Sequence, residues 1–144
     1  MELRASHVGL CVTDLAASLR FWRDGLGFET VAEFAVGDDF AAALEVPAPV
    51  AVTSHLLSRD GLTVELLAYA SPTPTGAPSA SRGQLGLTHL CFVVDDVVAV
   101  ADRLVAHGGT IVEPTRTSGP LGDYLFVADP DGTRVELMRT AWAG

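Results

Sequence analysis

The chain has 144 residues, of which 49% are hydrophobic and 19% charged. That composition suits one compact domain, or two small halves sharing a core, and excludes wholesale disorder. Nine basic against 18 acidic residues give a net charge of −9 without a basic cluster, which argues against nucleic-acid binding. No apolar run approaches the ~18 residues of a membrane span, and the N-terminal residues lack the pattern of a signal peptide. The two cysteines, Cys11 and Cys91, lie in apolar runs and are read as small buried hydrophobes, so the expected setting is a reducing cytoplasm.

Residues 4–12 alternate, with Val8, Leu10 and Val12 on one face, and predict a strand. Asp14 opens a helix in which Leu15, Leu19, Trp22 and Leu26 recur at helical spacing, with Phe21 and Trp22 packing it on the sheet and Gly27 stopping it. Strands are expected near 29–36 and 40–46, then a hairpin 52–58/62–69 turned at Asp60-Gly61. Residues 71–81 are rich in Pro, Ser and Gly and read as a linker. The second half opens with a strand over 87–94. Asp96 then starts a helix carrying Val97, Val100, Ala101, Leu104 and Val105. Gly108-Gly109 ends it, and His107 suits the helix dipole there. Strands near 110–113, 123–128 and 133–139 follow, with a second tight turn at Asp131-Gly132. Residues 115–123 form a glycine-containing loop, either a plain connector or a flap over substrate. Trp142 is expected to pack the tail. The expected organisation is 1–70, a linker over 71–83, and 84–144. The fold class is α+β, two βαβββ modules with curved mixed sheets.

The halves repeat each other. Ser6-His7-Val8-Gly9-Leu10-Cys11-Val12-Thr13-Asp14 matches Thr88-His89-Leu90-Cys91-Phe92-Val93-Val94-Asp95-Asp96 at an offset of 82. Asp60-Gly61-Leu62-Thr63-Val64-Glu65-Leu66 matches Asp131-Gly132-Thr133-Arg134-Val135-Glu136-Leu137 at an offset of 71. Two matched blocks in the same order indicate a duplication.

Each repeat contributes one His and one Glu. If the halves are related by a pseudo-two-fold, His7, Glu65, His89 and Glu136 converge in one cleft. Two imidazoles and two carboxylates suit a borderline divalent ion such as Zn, Ni, Co, Mn or Fe. A carboxylate in an apolar strand needs a cation, a proton or strong donors, because an unpartnered buried charge is costly. The competing reading places both glutamates on a solvated face, paired with Arg134 or Arg139. His55 reads either as an extra ligand or as a core or surface histidine whose repeat counterpart is Phe126. Tyr69 and Tyr124 read as pocket-lining or packing residues.

The pieces His7 with Asp14, Phe21-Trp22-Arg23-Asp24-Gly25-Leu26-Gly27-Phe28, Val64-Glu65-Leu66, Thr88 to Asp96, and Phe126-Val127-Ala128-Asp129-Pro130-Asp131-Gly132 running into Val135-Glu136-Leu137 resemble one family. It is the vicinal oxygen chelate superfamily, the glyoxalase/bleomycin-resistance/dioxygenase group, and the resemblance spans residues 5–140. It implies paired βαβββ modules around a metal-binding cleft. The divalent metal ion would be held by His7, Glu65, His89 and Glu136, with Glu136 and Glu65 as the catalytic carboxylates. Glu65 is similar to the glyoxalase I pattern, where methylmalonyl-CoA epimerase usually carries Gln. The glutathione-gripping Arg and Asn of bacterial glyoxalases are replaced by Cys11 and Tyr69. The epimerase's second acid has only Glu45 near its place.

The function implied is a metal-dependent lyase or isomerase, glyoxalase/epimerase-like. It would catalyse proton transfer alpha to a carbonyl through a metal-chelated enolate on a small substrate with vicinal oxygens. The alternatives are a metal-free drug-sequestering binding protein and an Fe(II)-dependent ring-cleaving dioxygenase. A homodimer, with no nucleic-acid or membrane partner, completes the expectation.

Overall fold

The computed structural model describes residues 1–140; Trp142 and the tail packing expected of it lie outside the described residues. The chain divides into two compact units, Met1–Gly76 and Ala77–Gly144. Each is α+β, a mixed sheet with helix on one face.

In the first unit β1 (Val8–Val12) leads into helix α1 (Leu15–Leu19), then β2 (Glu29–Val36), β3 (Ala51–Arg59) and β4 (Leu62–Ser71). The sheet order is β1-β4-β3-β2, with β1 parallel to β4 and the other pairs antiparallel. The second unit repeats the plan with β5 (Leu90–Val93), α2 (Val97–Ala106), β6 (Thr110–Ile111), β7 (Thr117–Gly119), β8 (Gly122–Ala128) and β9 (Arg134–Arg139). Its order is β5-β9-β8-β6, and β7 pairs with β8. Among the described residues no helix is long and apolar enough to cross a membrane.

Strand alternation sorts each sheet into two faces. On the helix side the first unit buries Leu10, Val12, Leu57, Val64 and Leu66 with Phe21 and Trp22, and the second buries Leu125, Val127, Val135 and Leu137 with Ala101 and Leu104. The alternate strand residues, including Glu65 and Glu136, occupy the other face.

Both helices start as the sequence predicts. Asp14 accepts from the Ala17 amide at 3.0 Å, and Asp96 accepts from the Val98 and Ala99 amides at 3.0 Å each, the side-chain capping that satisfies the otherwise free amides of a first turn. They then diverge. The first helix leaves α geometry after Leu19 and continues as a π-helical segment, Arg20–Gly25, in which the Leu26 amide reaches back to the Phe21 carbonyl at 2.9 Å. The interval from capping Asp to the terminating glycine is 13 residues in the first unit (Gly27) and 12 in the second (Gly108). A wider turn absorbs the additional residue, and both glycines end at positive φ, +76° and +96°.

Several expectations are corrected. The strands begin later than 4 and 87, so His7 and His89 stand on the extended chain just before β1 and β5. No strand forms over 40–46: a 3-10 turn at Asp38–Phe40 runs into a further turn. Ala41-Ala42-Ala43 offers no alternation to a sheet, and Asp38 closes the loop by accepting from the Val50 amide at 2.6 Å. The strand at 110–113 shortens to Thr110–Ile111, and the loop 115–123 contains β7, hairpinned onto β8.

Asp60-Gly61 is a two-residue turn as expected, since Arg59 pairs Leu62. Asp131-Gly132 is not a tight turn. Ala128 pairs Arg134, leaving a five-residue connection in which Asp129 accepts from the Asp131 and Thr133 amides at 3.0 and 2.8 Å. The repeat offset is therefore 71 on β4/β9 but 70 on β3/β8, and the counterpart of His55 is Leu125, not Phe126.

The segment after Ser71 does more than tether. The Arg82 guanidinium donates to the carbonyls of Ser79 and Thr88, fixing the chain that enters β5.

Candidate functional site

Within the first unit, β1 and β4 run parallel with Gly9 opposite Glu65. His7 lies two residues before Gly9, so it reaches the same face. Its Nε2 is 3.1 Å from Glu65 Oε2. The second unit repeats this: Cys91 lies opposite Glu136, and His89 Nε2 is 3.1 Å from Glu136 Oε2. In each pair the preceding hydroxyl contacts the other ring nitrogen, Ser6 Oγ to His7 Nδ1 at 2.9 Å and Thr88 Oγ1 to His89 Nδ1 at 2.8 Å.

That arrangement fits a metal. When Nδ1–H donates to the hydroxyl, Nε2 presents a lone pair directly to carboxylate lone pairs, and a metal cation or a proton between them reconciles the two. The carboxylates are the withdrawn members, 18% and 17% exposed against 38% and 32% for the histidines, so they depend most on a partner. Within either unit, among the described residues, no group of three or more His, Cys, Asp or Glu is gathered in metal-holding geometry; each unit supplies a pair. Neither glutamate is turned to a neighbouring arginine: Arg134 donates to the Gly132 carbonyl at 3.0 Å and Arg139 pairs with Asp123.

The two pairs are held differently. Glu65 Oε1 accepts from Ser54 Oγ at 2.5 Å, and Ser54 is buried. Glu136 instead accepts from the Cys91 thiol. Desolvation of that sulfur, followed by its hydrogen bond to Glu136 and the Glu136 charge, pushes the thiol up to about 12. Cys91 therefore faces Glu136 as a thiol donor rather than as a thiolate. Phe126, opposite Glu136, meets His89 edge to face at 5.2 Å. Tyr69 shares Glu65's face. Burial, with the charges of Cys11 and Glu65 adding, pushes its hydroxyl up, so it too is neutral at ordinary pH.

The remaining candidates fall elsewhere. Neither cysteine is in a disulfide and both residues are exposed, although the Cys91 sulfur itself is partly withdrawn against Glu136, correcting the expectation of buried hydrophobes. They sit on the glutamate-bearing faces, opposite the face on which each unit's own helix packs. Glu45 is exposed in a turn with φ +55° and occupies no strand, so its reading as a second acid loses its structural basis. His55 is buried on the opposite face of β3 from Glu65's partner Leu56, with Glu33 Oε1 3.6 Å away. His107 caps α2, its Nδ1 2.8 Å from the Arg103 carbonyl. Tyr124 donates to the Leu121 carbonyl at 2.9 Å.

Ser54, Ser6, Thr88 and Arg82 escaped the sequence reading. The paired Ser6-His7 and Thr88-His89 were a signal in plain view. Ser54 left none beyond a polar residue in an apolar strand.

Comparison with known proteins agrees with the fold. A glyoxalase family protein from Bacillus cereus superposes with a TM-score of 0.82 at 18% identity, covering 97% of this chain and 95% of that one. A "Probable lactoylglutathione lyase" of Vibrio parahaemolyticus is 26% identical over 144 residues, covering 97% of this chain and 93% of its own length. The mycobacterial protein CFP32 is 35% identical over 91 residues, 63% of this chain, and the match spans about a third of that relative, 34%. Residues 4–137 match the family profile described as Glyoxalase/Bleomycin resistance protein/Dioxygenase superfamily, and the chain belongs to that superfamily.

Proposed function

We propose that the chain is a divalent-metal-dependent lyase or isomerase that moves a proton alpha to a carbonyl on a small substrate with vicinal oxygens. The observation that carries this reading is the duplicated pair, imidazole Nε2 facing carboxylate Oε2 at 3.1 Å in both units, each ring steadied by the hydroxyl before it. Similarity to a protein named as a lactoylglutathione lyase supports the reaction class.

His7, Glu65, His89 and Glu136 together are the proposed ligands. When bound, the ion supplies Lewis acidity that lowers the energy of negative charge on a carbonyl oxygen. The protein's part is orientation and proton handling. Ser6 and Thr88 fix the imidazole rings. Ser54 pins one oxygen of Glu65, which makes Glu65 the stationary carboxylate. Glu136, bonded only to a thiol and an imidazole among its contacts described above, is the freer of the two. It takes the proton beside the carbonyl and returns it as general base and acid. Phe126 packs edge to face against the His89 ring and lies in register with Glu136.

The test is metal content and isotope exchange. Elemental analysis of the purified chain is expected to find tightly held divalent metal that His7→Ala and Glu136→Ala each lose. Protein loaded with Ni, Co, Mn or Zn is expected to catalyse deuterium uptake at carbon alpha to a carbonyl. Absence of exchange with methylglyoxal hemithioacetal, methylmalonyl-CoA and other 2-oxo compounds overturns the reading, and a metal-free preparation that binds aromatic ligands equally well points to a binding protein instead.

A further inference from the structure

We infer that the substrate is an uncharged α-hydroxyketone or 1,2-dicarbonyl with an apolar, ring-sized body, rather than a conjugate of an anionic thiol cofactor. The inference rests on the proton-transfer reading above and narrows it.

It follows from what the strand registers place around each His–Glu pair. On the first unit's glutamate-bearing face, Leu56 lies directly opposite Glu65, Leu67 opposite Cys11, and Val52 opposite Tyr69. Phe34 extends the row opposite Ser54. Among the described strand residues of that face the charges are both negative, Glu65 and, opposite Ser58 at the start of β2, Glu29. The nearby ionisable pair Glu33 and His55 is in register with Leu66, on the helix side. In the second unit Phe126 lies opposite Glu136, and Tyr124 opposite Met138. Among the described strand residues of that face the one cation is Arg134, which stands at the start of β9 and donates to its own Gly132 carbonyl; the nearby Arg82, which feels the charge of Arg134, is committed to the Ser79 and Thr88 carbonyls.

Carboxylates and phosphates are recognised by guanidinium or ammonium groups that match their charge and geometry. A face of Leu, Val, Phe and neutral Tyr offers the reverse. It desolvates a charged ligand without compensation and stabilises an apolar body by burial and ring contact. Leu56, Leu67, Tyr69, Tyr124 and Phe126 are all half-buried, so they retain area for a ligand to cover. The net charge of −9 adds long-range repulsion of polyanionic conjugates.

The experiment uses the full chain loaded with cobalt. 2-Hydroxyacetophenone, a neutral aryl hydroxyketone, and S-lactoylglutathione, an anionic thiol conjugate, are titrated separately. Binding is followed by the cobalt visible spectrum and by isothermal calorimetry, the latter also on the metal-free chain. Deuterium exchange is run in parallel. The neutral ketone is expected to bind at least tenfold tighter. Leu56→Ala and Tyr69→Ala are each expected to weaken it by about tenfold, with folding checked by circular dichroism. Leu67→Arg is expected to shift the preference toward the anionic conjugate. Tighter binding of S-lactoylglutathione, or indifference of the neutral ketone to both alanine variants, overturns the inference while leaving the reaction class intact. Preferential binding of the ketone without exchange of its alpha proton does the opposite: it upholds the ligand preference and overturns the proton-transfer reading.

Discussion

Replacing Ser54 with alanine isolates the bond that distinguishes the two glutamates. Ser54 Oγ donates to Glu65 Oε1 at 2.5 Å from a position that is 3% exposed. A hydrogen bond to an ionised group contributes roughly 1.5–3 kcal/mol. Glu65 keeps 18% exposure, so water recovers part of the loss, and the expected cost is about 1–2 kcal/mol. For a chain of this size that lowers the melting temperature by about 3–6 °C. The assay is urea unfolding followed by Trp22 fluorescence in a Trp142→Phe background, since Trp22 is fully buried in the same unit. Ser54→Thr, which keeps a hydroxyl, serves as the conservative control. In the double-mutant cycle with Glu65→Gln, the coupling should be about 1 kcal/mol. A Ser54→Ala protein within about 0.3 kcal/mol of the parent, or a cycle that closes without coupling, refutes the argument that the serine holds Glu65.

Three further predictions follow from other contacts. The Cys91 thiol, pushed up to about 12 chiefly by desolvation, should carry roughly two to three orders of magnitude less thiolate at pH 8 than an ordinary cysteine. Iodoacetamide labelling read by mass spectrometry checks this, and Glu136→Gln should speed it. Asp123 is held below its usual range, first by Ser118 and then by Arg139. Its contribution to stability is therefore complete above the unfolded carboxylate value and is lost as pH falls through the folded one. The melting-temperature gap between the parent and Asp123→Asn should thus be full at neutral pH and narrow as pH falls below the ordinary carboxylate value of ~3.9. Gly122 adopts φ +130°, and a Cβ there would lie 2.2 Å from the Arg139 carbonyl oxygen. Gly122→Ala should cost more than about 3 kcal/mol in chemical denaturation, because β8 cannot approach β9 without this glycine.

The parts of the fold that the sequence announced are those with a strong local signal. Asp14 and Asp96 stand immediately before helical periodicity, and Val64-Glu65-Leu66 and Val135-Glu136-Leu137 alternate cleanly as strands. The duplication made the candidate residues legible as pairs, because His7 and His89, then Glu65 and Glu136, recur in order. Geometry within each pair was not legible, since a 3.1 Å contact depends on parallel strand register rather than on composition. The run Ala41-Ala42-Ala43 misled because alanine lacks a face to read, and tertiary closure by Asp38 decided its conformation. The counterpart of His55 was misplaced by one residue because hairpin length is invisible until strands are paired. The cysteines misled for a related reason: alternation tells which side a residue takes, but not which side a helix covers.

The widened turn at Arg20–Gly25 has a consequence for how this chain tolerates length changes. A residue gained inside a packed helix would ordinarily rotate everything after it by about 100° and turn apolar side chains toward water. Here the surplus is confined to one bulge, so Trp22 stays inward and the following strand starts in phase. Excising a single residue from that stretch should therefore yield a regular helix and a folded protein, whereas the same excision from α2, which has no slack to give up, should throw Leu104 out of step and unravel its half of the molecule.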